Sequence, residues 1–470
     1  MSRVRHVGYG GVWIAAGVAL AVATPWLLAG GRTYAAGVAV VLLLIAAHRI
    51  FGTALLSPVQ IVGGGLLTLA VFGRVLYDDV AGAQGGGAIR IYLDEVTAER
   101  TQFLILVAAA SILLGAVLAV LLSGRVGEVG NVGLRAINLQ PRSRRLIVAA
   151  APLPLILLVF AFGPDRLVRR TLYIETHVGS SPLSSMGATL SVAMIVGLGY
   201  LWGTRTSRLW VALLTLGYTV AFLGLGSRRL ALIPILFALG VFAALPNRRS
   251  RWLLGGAAIL SIYLVGLPLE LRSLTEHGIA PYAAALPDIM GSHHPWAATG
   301  RNLLIGFALI GQTAFKVTTF PRSDVLVALN PLPGGPAGWY DIANSHRLNA
   351  YTPTAGVGEL GNAGWEITVF VCLLIGAALA YIDVRSKRLM ARDKQLFGLA
   401  LVLLSALFLL MLSQYNLRSA TRMLYYAVAV DVLATTLISR ARSKLPPKKE
   451  DLGPGTLTGA GTSHQWKGKP

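Results

Sequence analysis

Asn330–Glu366 reads NPLPGGPAGWYDIANSHRLNAYTPTAGVGELGNAGWE and runs directly into Ile367–Val384, ITVFVCLLIGAALAYIDV. The second stretch is apolar and long enough to cross about 30 Å of hydrocarbon. The first is its opposite. Pro331, Pro333, Pro336 and Pro353, with Gly334, Gly335, Gly356 and Gly358, forbid a long helix or a regular strand. Set into it are Asp341, His346, Arg347, Tyr351 and Glu359, side chains that move protons or bind anions. A polar loop loaded in this way and held between membrane helices reads as the cap of an active site.

Composition supports the membrane setting. The 470 residues are 55% hydrophobic and only 13% charged, with mean hydropathy +0.65, where soluble domains carry about 25% charged residues. The single cysteine, Cys372, lies in an apolar run, which excludes an intramolecular disulfide and argues against redox chemistry.

Working outward, the chain offers twelve apolar spans: Val12–Leu28, Tyr34–Phe51, Val59–Val75, Phe103–Leu122, Leu146–Phe162, Ala188–Trp202, Leu209–Leu225, Leu230–Leu245, Trp252–Leu269, Ile367–Val384, Leu396–Leu412 and Met423–Ile438. The expected fold is therefore an all-α integral membrane protein of about twelve transmembrane helices. Residues 1–440 form one polytopic domain, with a large outer loop over about 270–366. Residues 441–470, rich in glycine, proline and lysine, read as a disordered basic cytoplasmic tail.

With the N-terminus inside, the inner segments hold 25 Lys and Arg against five acids, and the outer segments 16 against 14. Nearly all of the net charge of +21 is then cytoplasmic, as the positive-inside rule requires. The basic character is topological, and nucleic acid is not an expected partner. Arg3, Arg5 and Ala21–Ala23 resemble a signal peptide, but the apolar run continues through Trp26–Leu28 and favours a retained helix. A further run, Asn302–Phe315, would invert every later helix if it spanned. It is expected to be a horizontal or re-entrant helix inside the outer loop.

Arginines are few on the outer side, so pairs at helix starts stand out. Gly226-Ser227-Arg228-Arg229 opens one span, with Ser227 as the expected N-cap. A helix start offers free N–H groups and the positive end of a dipole, and two guanidiniums can fork onto phosphate oxygens. Arg418 and Arg422 repeat the device before the last span, four residues apart and so on one helix face. Either pair can instead snorkel to lipid headgroups; two such sites at outer helix starts suit a pyrophosphate. Asp431 lies roughly mid-helix, where an acid is costly, and is expected to pair with a Tyr or Arg of the bundle.

Gly226-Ser227-Arg228, Asn330-Pro331-Leu332-Pro333-Gly334, Tyr351-Thr352-Pro353 and Gly358-Glu359-Leu360 followed by Asn362 and Gly364 resemble the O-antigen polymerase, or oligosaccharide repeat-unit polymerase, family. The likeness covers about residues 225–425; earlier residues match only as a hydropathy profile. It implies a metal-independent inverting glycosyltransferase of the C-type membrane fold in a bacterial cytoplasmic membrane, with both termini cytoplasmic and the active site outside. Donor and acceptor would be oligosaccharides on undecaprenyl pyrophosphate, a flippase and a chain-length regulator would be partners, and no cofactor is expected.

On that reading Arg228, Arg229, Arg347, Arg418 and Arg422 receive the pyrophosphate, and Tyr351 and Asn330 face the substrate. The acceptor hydroxyl needs a general base. Glu359 is the first candidate, with His346 and Asp341 after it, although a glutamate in such a loop can equally hold a turn. His293-His294 are adjacent and cannot chelate from one helix face, no spacing completes a metal site, and the acids Asp78-Asp79 lie outside the first outer loop. Two other readings stay open: a ligase-like glycan transferase to another lipid or to protein, and a lipid or sugar transporter, which would show symmetry between halves.

Overall fold

The computed structural model describes residues 31–52, 57–75, 93–123, 139–171, 181–292, 294–315, 320–348, 352–391 and 394–443. Val12–Leu28, Asp78, Asp79, His293, Tyr351 and the tail beyond 443 lie outside them. Among the described residues the chain is all-helical, with two isolated backbone bridges, Arg170–His277 and Arg347–Pro353. The order begins α1 (Arg32–Phe51), α2 (Pro58–Val75), α3 (Glu95–Leu122), α4 (Pro141–Ala150), α5 (Pro152–Phe162), α6 (Pro164–Val168), α7 (Ser181–Gly203) and α8 (Arg208–Gly224). A 3-10 turn (Arg228–Ala231) leads into α9 (Leu232–Ala244), α10 (Arg248–Leu271), α11 (Ile279–Met290) and α12 (His294–Phe315). The chain ends with α13 (Arg322–Leu329), α14 (Trp339–Ile342), α15 (Gly356–Ala363), α16 (Trp365–Ala391), α17 (Gln395–Gln414) and α18 (Leu417–Ser443).

Local chemistry sets many of these boundaries. Pro141, Pro152 and Pro164 begin α4, α5 and α6, where a missing N–H costs nothing. The Asp94 carboxylate accepts from Thr97 N at 2.8 Å and caps α3, and Asn247 with Ser250 forms a capping box at α10.

Among the described residues, eight helices are long and apolar enough to cross a membrane: α1, α2, α3, α4 with α5, α7, α10, α16 and α17. Four of the twelve expected spans fall outside this set. Val12–Leu28 is not among the described residues, and α8 is apolar but 17 residues long. Leu230–Leu245 divides into the 3-10 turn and a 13-residue α9. Helix α18 has the length, 27 residues, but carries Arg418, Arg422, Asp431, Arg440 and Arg442.

Among the described residues two large apolar cores organise the bundle, with a small third cluster of Ala243, Met390 and Leu399. One joins α1, α2, α3 and α12–α18; the other joins α5 and α7–α11. Each contains a backbone-to-backbone crossing that only glycine permits. A Cβ on Gly115 would sit 2.2 Å from Leu373 O, and one on Gly376 2.0 Å from Ile112 O, so α3 and α16 touch. Gly199 and Gly240 do the same for α7 and α9, each 2.0 Å from the other helix's carbonyl. Close backbone approach of this kind drives helix association in lipid, where apolar side chains gain nothing by leaving the tails.

Contacts at the two ends of the bundle sort themselves as an alternating chain requires. At one end Arg74 meets Glu95 at 3.5 Å, Arg170 and His277 exchange backbone hydrogen bonds, Arg272 Nε donates to Gly226 O, and Gly356 N donates to Tyr415 O. At the other, Ser57 meets Asp383, Lys387 Nζ donates to Phe51 O, and Leu139 N donates to Tyr200 Oη.

The stretch expected as a fourteen-residue helix is 22 residues long, because the helix already begins at His294. At about 1.5 Å per residue α12 is roughly 33 Å long. Thr299 Oγ1 donates to Ile262 O on α10, Gln414 Nε2 at the close of α17 donates to Asn302 O, and Gly311 lies under Leu93 and Thr101 at the start of α3. These neighbours all lie within three turns of helix ends that cluster about the Gly/Pro-rich loop.

Candidate functional site

The site is built from the end of α12 upward. Gly358 lets α15 lie directly on α12, since a Cβ there would meet Thr313 Cβ at 2.5 Å and Ile310 O at 2.7 Å. Asn362 staples the same pair: its amide donates to Thr313 O at 3.0 Å and its carbonyl oxygen accepts from Phe320 N at 2.7 Å. The residues of the GEL and Asn-x-Gly segments thus set a short helix into the bundle and bury Glu359.

Glu359 and His346 are each 2% exposed, and they form one line with buried Asp324. His346 Nδ1 lies 2.7 Å from Glu359 Oε1, and Nε2 lies 3.3 Å from Asp324 Oδ2. Glu359 Oε1 also accepts from Thr354 Oγ1, and Oε2 accepts from Leu417 N at 2.9 Å. Phe320 stacks on the imidazole at 4.5 Å and 12°, and Trp339 tilts against it at 5.2 Å. Burial, the largest single influence, pulls the imidazole pKa down. The hydrogen bonds and charges of Glu359 and Asp324 together outweigh it and hold the value above the ordinary one near 6.5.

Arg418 is buried beside this line. Its NH1 donates to Val327 O at 2.8 Å and Asn330 O at 3.1 Å, and its NH2 to Leu332 O at 2.6 Å. Thr421 Oγ1 donates to Ala328 O at 3.1 Å and Tyr425 Oη to Leu329 O. One face of α18 therefore satisfies the carbonyls left open at the end of α13 and carries a cation to that negative helix end. The guanidinium also lies 5.6 Å from the Trp339 ring centre. Trp339 is thereby held between Arg418 and His346.

The remaining expected residues divide by exposure. Asp341, Arg347 and Arg422 are exposed. Asn330 is half-buried, with Oδ1 accepting from Leu332 N at 3.0 Å. Arg229 is exposed and Arg228 half-buried in the 3-10 turn, whose cap is Ser227 Oγ accepting from Arg229 N at 3.3 Å. Arg229 lies within electrostatic reach of Tyr415, in the turn between α17 and α18. The Ser227 segment is fixed from behind by Arg272 Nε on Gly226 O and Arg170 NH1 on Gly224 O, both 2.9 Å. Asp431 has the partners its position demands, Tyr381 Oη at 2.7 Å and Arg385 Nε at 2.8 Å.

Four members of the site were not singled out by the sequence: Phe320, Asp324, Trp339 and Thr354. The only signal for Asp324 is an acid in the first turn after Pro321. Among the described residues, no group of three or more His, Cys, Asp or Glu is arranged to hold a metal ion.

Fold and site define a class: an all-helical chain with apolar helices of membrane-crossing length and a buried acid–imidazole–acid line beneath a Gly/Pro-rich loop. No family model, curated protein or solved structure matches it.

Proposed function

We propose that the chain is a glycosyltransferase of the oligosaccharide repeat-unit polymerase kind, working at the outer face of a bacterial cytoplasmic membrane. The observation that carries this reading is a convergence. Leu417 N–H binds Glu359, Leu417 opens the helix bearing Arg418 and Arg422, and Tyr415 just before it lies within reach of Arg229. The Arg229 turn is thus within electrostatic range of the turn that leads into Leu417 and the buried acid–imidazole–acid line. We read α12 as re-entrant at that outer end, with the N-terminus inside.

Exposure divides the work among the residues. Arg228, Arg229, Arg347 and Arg422 grip the pyrophosphate, whose leaving oxygens need fixed cations. Arg418 is spent on carbonyls and shapes the loop. Glu359, His346 and Asp324 are positioning residues, since their polar atoms bind one another. They hold Trp339, and Trp339 fixes α14, which presents exposed Asp341 two residues on. Asp341 takes the proton of the acceptor hydroxyl as its oxygen attacks the anomeric carbon. The bond from that carbon to the pyrophosphate oxygen breaks with inversion, and the electron pair leaves on the pyrophosphate. Tyr351 and Asn330 remain the sugar-facing candidates.

Purified protein in detergent, given lipid-linked repeat unit, tests this. Asp341→Asn should lower kcat by about 10²–10⁴-fold, the usual contribution of a general base, with KM little changed. Glu359→Gln should act mainly through stability and the pH profile. Near-normal Asp341→Asn with inactive Glu359→Gln would return the base to Glu359. Wild-type protein that joins no repeats, or a deletion strain that accumulates no single uncapped repeats, would overturn the polymerase reading. Turnover lost with EDTA and restored by a divalent cation would overturn its metal independence.

A further inference from the structure

The end of the second core away from the loop carries a basic, aromatic surface that the proposed reaction does not use. Segments 139–151, 200–212 and 243–256 contain eight arginines, Arg142, Arg144, Arg145, Arg205, Arg208, Arg248, Arg249 and Arg251, and no Asp or Glu. The fold draws the three together. Leu139 N donates to Tyr200 Oη at 2.8 Å, Trp210 Nε1 donates to Val148 O at 3.4 Å, and a Cβ on Gly203 would meet Ala244 Cβ at 2.7 Å. The start of α4, the α7–α8 turn and the α9–α10 turn therefore form one rim.

Side chains on this rim face outward. Arg142, Arg145, Arg205, Arg208, Arg248, Arg249 and Arg251 are exposed, and α4 buries none of its ten residues. Trp252 is 70% exposed and Trp210 40%, each within three residues of an exposed arginine. Tryptophans at such positions sit at the headgroup level of a bilayer. Arg208 also lies 5.5 Å from the Trp202 ring centre. Guanidiniums interleaved with indoles, in segments that themselves hold no Asp or Glu, match a phosphodiester carried on a lipid.

We propose that this rim is a binding surface for anionic phospholipid headgroups, which it selects over zwitterionic ones. Each arginine near an anionic surface contributes about 1 kcal/mol, or roughly fivefold in association. The surface lies away from the arginines assigned to pyrophosphate, so its test does not depend on the glycosyltransferase reading.

Quenching of intrinsic tryptophan fluorescence by dibrominated phosphatidylglycerol, compared with dibrominated phosphatidylcholine, reads the selectivity in reconstituted vesicles. The wild type is expected to prefer phosphatidylglycerol. Arg248→Gln/Arg249→Gln/Arg251→Gln should bring the ratio toward one, and the corresponding triple lysine variant should retain it. Trp210→Phe/Trp252→Phe should remove most of the selective part of the quenching. Should the triple glutamine variant fail to fold, Arg142→Gln/Arg145→Gln/Arg205→Gln replaces it, with helicity checked by circular dichroism. Equal quenching by the two lipids in the wild type, or a ratio unchanged in a folded triple glutamine variant, would overturn the proposal.

Discussion

The Asp324–His346–Glu359 line under the loop and the Ser57–Asp383–Lys387 cluster at the opposite end of the same core bury similar groups by different means. In the cluster one helix supplies both charges. Asp383 and Lys387 stand four apart on α16 and meet at 2.5 Å, so helix register alone sets their geometry. Ser57 and Phe51 O then attach the close of α1 and the start of α2 to that helix. The line under the loop has no such scaffold. Its members come from α13, an irregular segment and α15, and each is oriented by the others and by Phe320 and Trp339. The first arrangement is a strut, indifferent to whatever binds at the far end. The second is held by its own hydrogen bonds and changes whenever one member changes charge.

Breaking the strut should have the largest effect. Lys387→Met leaves Asp383 buried without its cation and should cost about 3–5 kcal/mol, as removal of one partner of a buried pair does. Asp383→Leu/Lys387→Met should recover much of that, because well-packed apolar replacements are often close to neutral. Thermal unfolding in detergent, followed by intrinsic fluorescence, measures both. A double variant as damaged as the single would mean that packing at this end, rather than the pair, carries the stability.

The loop's clasp comes next. Arg418→Ala strips the donors from three carbonyls at the end of α13 and should cost about 1–3 kcal/mol. Hydrogen exchange should rise over residues 327–348 and stay unchanged around 383–387. Arg418→Lys should restore part of the protection, since an ammonium cannot reproduce the fork. Loss of polymerisation with unchanged exchange would place Arg418 on the substrate. A smaller effect belongs to Asp431→Asn. Asp431 is buried and Arg385 only 21% exposed, but the variant's amide oxygen can still accept from Arg385 and Tyr381, so the expected loss is about 0.5–1.5 kcal/mol.

The same contrast explains what could be read in advance. Long apolar runs such as α3 and α16 are visible because one helix carries its own period and length. Asp431 was readable because a mid-helix acid must find a partner, and Tyr381 and Arg385 were within reach. Asp383 and Lys387 carried an i,i+4 signal that was there to be used. The division of Leu230–Leu245 into a turn and a short helix was not readable, since hydropathy does not register the switch from 3-10 to α. Within the site, loop position drew attention to Glu359 and His346 but said nothing of their burial, which depends on Gly358 meeting α12. Arg418 was expected to face an anion because it lies at a helix start. The carbonyls that occupy it belong to the end of α13 and the residues just after it, about ninety residues earlier in the chain. No local pattern announces such a contact, nor the partnership of Asp324 with His346.

The smallest expected signal separates the two networks most directly. The folded imidazole of His346 has a pKa above its ordinary value near 6.5, burial opposing the shift and the hydrogen bonds and charges of Glu359 and Asp324 producing it. A group raised on folding contributes stability that is complete below the unfolded pKa and is lost as pH rises through the folded one. Below about pH 6.5 both ring nitrogens are donors and both carboxylates are served. Above the folded value only one nitrogen carries a proton, so either Glu359 Oε1 or Asp324 Oδ2 loses its imidazole donor. Hydrogen exchange across 346–360 should therefore accelerate as pH rises through that window, after correction for the intrinsic rate. The segment around 383–387, which holds no imidazole, should show no corresponding step. His346→Gln should flatten the dependence at 346–360 while leaving the other end as it was. A flat profile in the wild type would mean that the imidazole does not change charge in that window. The line would then be a set of ordinary hydrogen bonds, and the contrast between the two ends would reduce to scaffold alone.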